Sequence, residues 1–191
     1  LTSDELWSNV SKKARGDVNR AKRREIQTKV LETMDEINDF VNLNKEWAKA
    51  KDLTITDPEK QKEIFWKNHK SGIDKIFLAY KERKLIAGLR LGCFNKTAHT
   101  NFVISSYNIE TNLGGTLLTW YAVEWAKTNN FEIYDFSGGR VATSLLSYKK
   151  KWGGKETPYY IFRKIRKHSS YKLYSSVFNL IQKYHFLRSK K

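Results

Sequence analysis

The stretch LLTWYAVEWAKTNNFEIYDFSGG, residues 117–139, decides how the rest of the chain folds. Leu117, Leu118, Trp120, Tyr121, Val123 and Trp125 leave almost no polar side to a helix over its first half, so that helix is expected to be buried. Asn129 and Asn130 turn the chain, and FEIYDFSGG follows as a short strand ending in glycines. A buried helix that leads straight into a strand belongs to an α/β layer.

Upstream, KIFLAYKE, KLIAGLRLGCFN and HTNFVISSYN read as three strands joined by polar turns around Arg83 and Lys96, an antiparallel meander. Before them lie a short helix after Pro58 and a helix carried by Ile37, Phe40, Val41, Leu43 and Trp47. REIQTKVLE reads as a strand with Ile26, Thr28 and Val30 on one side. The opening SDELWSNVSKKARGDVNRAKR reads as one basic helix capped by Ser3 or Asp4, with Leu6, Val10, Ala14, Val18 and Ala21 at helical spacing. Downstream come a short helix in VATSLLSYKKKW, a last strand in TPYYIFRKI and a terminal helix through Leu173, Val177, Leu180, Ile181, Tyr184 and Leu187. The expected fold is α/β, a mixed and largely antiparallel sheet flanked by helices. Its expected segments are a basic N-terminal helix over 1–25, the sheet domain over 26–166 and a basic amphipathic helix over 167–191.

At 191 residues and 40% hydrophobic content, the chain can bury one full core. The lone Cys93 lies in the apolar run LIAGLRLGCF, which fits a buried thiol and a reducing, cytoplasmic compartment. No apolar run approaches the roughly 20 residues that cross a bilayer, and LTSDELWSNV lacks the order of a secretory signal. Starting at Leu1, the sequence reads as a fragment or trimmed chain.

The net charge of +16 is gathered at the ends. Residues 149–191 hold thirteen Lys/Arg against Glu156, and residues 12–24 hold seven against Asp17. Two readings compete: a surface for phosphates, nucleic acid or anionic lipid, and charge kept for solubility. His69, His99, His168 and His185 are scattered, and CxxC, HExxH, Walker and GxSxG strings are absent, which argues against metal sites, P-loop hydrolysis and serine hydrolysis.

YKKKWGG, residues 148–154, sets three lysines between aromatics and ends on two glycines. Alone, it reads as a solvated helix end with a glycine stop. Together with LWSNVSKKARGDVNRAKR at residues 6–23, the 117–139 stretch and the element order, it resembles the FemAB-type aminoacyl and acyl transferases, which share the GNAT fold. YKKKWGG is similar to their FKxxFGG signature, and the likeness extends over residues 5–165.

That resemblance implies acyl transfer to an amine, from an aminoacyl-tRNA or an acyl-coenzyme A thioester, with no permanently bound cofactor. It implies a peptidoglycan precursor as acceptor, at the cytoplasmic face of the membrane, and a further GNAT-like unit on the N-terminal side. Lys149 would set an ammonium beside the developing oxyanion, between Tyr148 and Trp152 as aromatic anchors. Gly153, Gly154, Gly138 and Gly139 would let backbone approach substrate. Asp135 is either a catalytic carboxylate or one that accepts backbone N–H groups in the turn after it. Glu124, among aromatics, is either a general base or half of a helix-face salt bridge.

Gly114 and Gly115 are expected before the buried helix, where a GNAT protein holds coenzyme A pyrophosphate on backbone amides. The usual Arg/Gln-x-x-Gly-x-Gly/Ala string is absent, which favours the FemAB-type group. Arg15 and Arg20 suit phosphate contacts on tRNA or a nucleotide-linked precursor, or simply face solvent. Tyr171, Tyr174, Phe178 and Tyr184 would turn toward an anionic membrane or pack on the core. The rival from another class is a non-catalytic module that binds RNA or anionic membrane through its basic ends.

Overall fold

Residues 1–54, 57–106, 109–138, 143–158, 160 and 176 are described by the computed structural model of the chain. Its helices are α1 (Ser3–Asn9), α2 (Lys12–Arg23), α3 (Met34–Ala50), α4 (Pro58–Ser71), α5 (Ile109–Thr128) and α6 (Thr143–Lys150). Its strands are β1 (Gln27–Val30), β2 (Asp74–Lys81), β3 (Lys84–Phe94), β4 (Thr97–Ser105) and β5 (Ile133–Asp135).

The helix ends follow from side chains that satisfy otherwise unpaired backbone groups. Thr2 with Glu5 and Thr33 with Glu36 form capping boxes on α1 and α3. Asp57 caps α4 ahead of Pro58, and Gly72 ends that helix in the left-handed region at φ 81°. The single opening helix is in fact two. Val10 is extended, and the Ser11 hydroxyl accepts from the Ala14 N–H, starting α2 afresh.

The sheet runs β1-β2-β3-β4-β5, antiparallel throughout except for the parallel pair β4–β5. One face packs under α2 and α5, where Val10, Ala14, Val18, Leu117, Leu118 and Trp120 share a core with Phe77 and Leu89. The other lies under α3 and α4, around Ile37, Phe40, Phe65, Ile76 and Ile104. Gly88 admits Phe40, whose ring stands 2.5 Å from where a Cβ would be. The fold is the expected one, a mixed and mostly antiparallel sheet with helices on both faces.

Leu1–Lys155 form one compact unit and Glu156–Lys191 another. No break falls at residue 25, because the apolar stripe of α2 is part of the core beneath α5. The last expected strand is described only at 157, 158 and 160, and the terminal helix only at 176, so both lie essentially outside the described residues, as does the expected boundary at 166. Among the described residues, no helix is long and apolar enough to cross a membrane.

Candidate active site where β4 and β5 part

β4 and β5 pair over three positions, Thr97 with Ile133, Ala98 with Tyr134 and His99 with Asp135. β4 then continues to Ser105, while β5 stops. Two residues later the β3–β4 register shifts: Leu91 faces Thr100, Arg90 faces Phe102, and Asn101 is the extra residue of a bulge. The bulge twists β4 away as the chain leaves β5, and a V opens in the sheet.

A cavity of about 540 Å³ fills that V. Thr100, Asn101 and Val103 supply its β4 wall, and Ser137 and Gly138 the opposite one. α5 contributes Asn112, Gly115 and Thr119, and α6 contributes Tyr148 and Lys149.

Lys149 Nζ donates to the carbonyls of Ser137 at 2.5 Å and Gly138 at 2.9 Å. An ammonium carries three donors, so one hydrogen remains for a ligand. Burial lowers the pKa of Lys149, and the Asp135 charge works against that shift. The Thr119 hydroxyl donates to Gly115 O at 2.8 Å, so in its 3.1 Å contact with Tyr148 the phenol is the donor. Burial pushes the phenols of Tyr134 and Tyr148 upward, which keeps both protonated. Thr100 Oγ1 donates to Tyr134 at 2.9 Å.

Other residues singled out in the sequence lie elsewhere or act locally. Asp135 is exposed at the sheet edge, accepting from the Ser137 N–H at 2.7 Å and pairing with His99. Glu124 does not line the cavity. It stands five residues past Thr119, which at about 100° per residue turns it to another side of α5. Trp152 is a core residue, 6% exposed, whose Nε1 has no hydrogen-bond partner among the described residues. Gly153 adopts φ 78°, and a Cβ there would meet Asn9 O at 2.7 Å, so this glycine serves a turn and a packing contact with the end of α1. Gly154 lies against the Phe136 ring. Gly139 falls outside the described residues.

Gly114 and Gly115 lie inside α5, in its second turn, and not ahead of it. A Cβ at Gly114 would stand 3.0 Å from Ile86 and one at Gly115 3.4 Å from Val103, so the pair lets α5 approach the sheet closely. Arg15 Nη1 reaches the Trp7 and Ser8 carbonyls at 3.5 Å each, at the end of α1. Arg20 pairs with Asp17 at 3.6 Å in solvent, an interaction of small value. Neither arginine lines the cavity. Sequence reasoning set His99 aside as one of four scattered histidines and passed over Asn101 and Thr119. Thr119, a hydroxyl in an apolar helix, was the only one with a local signal.

No protein-family model matches the sequence, and no curated protein matches it. Among solved structures, FemX is similar at 14% identity with a TM-score of 0.69, over 80% of this chain and 56% of FemX. This chain thus spans about half the length of FemX. An aminoglycoside acetyltransferase from an uncultured soil metagenomic sample, solved with sisomicin, is similar at 15% identity and TM-score 0.57, over 74% of this chain and 97% of its own. A predicted acetyltransferase from Clostridium acetobutylicum, solved with acetyl-CoA, gives 13% and 0.58, over 73% and 96%. At these identities the likeness is one of fold, a GNAT-like mixed and mostly antiparallel sheet with flanking helices.

Proposed function

We propose that this chain is an acyltransferase that joins an activated acyl group to an amine inside the β4–β5 cleft. The observation that carries this reading is the Lys149 ammonium, fixed by two carbonyls at the cavity wall with one donor to spare. An amine attacking an ester or thioester carbonyl puts negative charge on its oxygen, and a preorganised cation in a partly dry site stabilises that charge. Thr119 and Tyr148 would position the acyl chain, and backbone of the Asn101 bulge would face the carbonyl.

The donor we favour is an aminoacyl ester of tRNA, with an acyl-coenzyme A thioester as its alternative, and the acceptor an amine of a peptidoglycan precursor. The charged side chains lining the cavity are Lys149 and Lys151, and no carboxylate lines it among the described residues, which suits phosphate-bearing substrates. The glycine pair inside α5 has its amides committed to the helix, so coenzyme A phosphates would have to meet the first turn of α5 instead. A second GNAT-like unit would complete the acceptor site, given that FemX is nearly twice as long as the matched region. Mass spectrometry of a reaction offering charged tRNA, acetyl-coenzyme A and a lysine-bearing muropeptide precursor tests the reading. Mass gained on the amine from one donor identifies the donor, and no gain from either rejects it.

One observation favours a second reading, a binding module. Lys12, Lys13, Arg20, Lys22 and Arg23 lie exposed on α2. If that surface holds RNA or anionic lipid, reversing charge at Arg20 and Arg23 abolishes binding while Lys149→Ala leaves it intact, and RNA affinity falls steeply with salt.

A further inference from the structure

The lysines at 149, 150 and 151 do not share one environment. Lys149 and Lys151 are half-buried and line the cavity, whereas Lys150 is exposed and takes no part in its wall. On a continuing α-helix Lys151 would lie about 200° around the axis from Lys149. The helix stops at Lys150, and the turn that follows brings Lys151 back to the same cavity.

That turn is tied down. Lys151 O accepts from the Ser11 N–H at 2.8 Å, the Lys151 N–H donates to Tyr148 O at 3.3 Å, and the neighbouring Trp152 is buried in the core. The Lys151 ammonium stands 6.0 Å from the centroid of the Tyr148 ring, a cation–π distance. The ring is itself held, edge-on to Trp152 with centroids 6.1 Å apart and through its hydroxyl to Thr119 at 3.1 Å. Lys149 has two of its three ammonium hydrogens engaged by carbonyls, whereas Lys151 has neither a hydrogen-bond acceptor nor a carboxylate partner among the described residues. Asp135, whose charge acts on Lys149, does not line the cavity, and no other carboxylate does among the described residues. Two half-buried cations on one wall repel a further cation that enters and attract an anion.

We propose that Lys151 is a specificity-determining residue: its ammonium binds an anionic group, a carboxylate or a phosphate, carried by the amine acceptor, and the cleft rejects amines that bring only positive charge. This rests on the acyltransferase reading above, with Lys149 left to the carbonyl oxygen and Lys151 to the acceptor. The attacking nitrogen must be neutral to react, so the charge that Lys151 meets is that of the acceptor's second group. An anionic oxygen there forms charge-assisted hydrogen bonds with unengaged N–H donors. A second ammonium in its place would add a third cation to the wall.

The test uses the full chain with acetyl-coenzyme A and charged tRNA as donors and acceptors matched in their amine. Nα-acetyl-lysine is compared with its amide for a carboxylate, phosphoethanolamine with ethanolamine for a phosphate, and spermidine serves as the polycation. Wild type is expected to prefer the anionic member of a pair about 10-fold in kcat/KM, and to use spermidine no better than the neutral members. The pair with the larger ratio identifies the group. Lys151→Gln should remove the preference through the acceptor KM, Lys151→Glu should reverse it, and Lys150→Gln should keep it. An active enzyme with no preference in either pair overturns the proposal alone, as does a preference that survives Lys151→Gln or an effect of Lys151→Gln confined to the donor KM. Inertness of the wild-type chain toward every donor and acceptor overturns the acyltransferase reading and this proposal with it. If the Lys151 variants melt early, the wild type decides, because its preference should narrow as salt is raised, and a preference unmoved by salt overturns the proposal.

Discussion

The ammonium of Lys149 lies 2.5 Å from the carbonyl oxygen of Ser137, which makes the end of α6 and the turn after β5 a single wall of the cleft. Replacing Lys149 with Met keeps much of the stem and removes the charge, so transfer should fall by about 100-fold, the scale of losing one oxyanion donor, while the melting temperature moves little. Because burial lowers the Lys149 pKa, the ammonium is lost at a lower pH than for an ordinary lysine. Activity should therefore show an alkaline limb, and Lys149→Arg should shift that limb upward in whatever activity survives.

Gly153 and Gly72 separate two costs of adding a methyl group. Both have positive φ, but nothing lies within 4 Å of a Cβ at Gly72, whereas Asn9 O would stand 2.7 Å from one at Gly153. Gly72→Ala should cost about 1 kcal/mol from backbone strain alone. Gly153→Ala should cost clearly more, read as the larger loss in urea denaturation.

Asp74 is 2% exposed and accepts from Arg90 Nε at 2.9 Å and Nη2 at 2.7 Å, from Asn68 at 3.0 Å and from Asn101 at 3.3 Å. Arg90 also stacks over Phe65, 4.8 Å from its centroid. Asp74→Ala leaves a partly buried guanidinium without its counter-charge, and about 3 kcal/mol of stability should be lost. Chemical denaturation measures it.

His69 is buried and held neutral. Its Nδ1 accepts from the Ile76 N–H at 3.1 Å, and burial, aided by Lys75 and Lys70, lowers its pKa. The unfolded chain, with an ordinary imidazole near about 6.5, binds the proton first as pH falls. The stability linked to His69 is therefore fully present above that value and is lost as pH drops through the depressed folded-state pKa. Thermal melts between pH 8 and 5 should decline in wild type, and His69→Gln should flatten that part of the slope.

The meander and the buried α5 were legible because strict alternation and all-round apolarity are local patterns. The split between α1 and α2 was not, since Leu6, Val10, Ala14 and Val18 keep helical spacing straight through it. What ends α1 is the extended Val10, and what begins α2 is the Ser11 hydroxyl accepting from the Ala14 N–H. At the cleft, Lys149 could be singled out from its motif, but Gly153 is explained by Asn9, a partner far away in sequence. The pairing of His99 was invisible for the same reason, the Asp135 carboxylate lying 36 residues on.

The first dozen residues clasp the molecule at three points. Trp7 packs on Trp120 with centroids 4.7 Å apart, the Ser11 N–H donates to Lys151 O at 2.8 Å, and Asn9 seats against Gly153. They form a strut between the central helix and the lysine run, so removing the amino end would strip contacts from α5 and from the Lys151–Gly153 turn together.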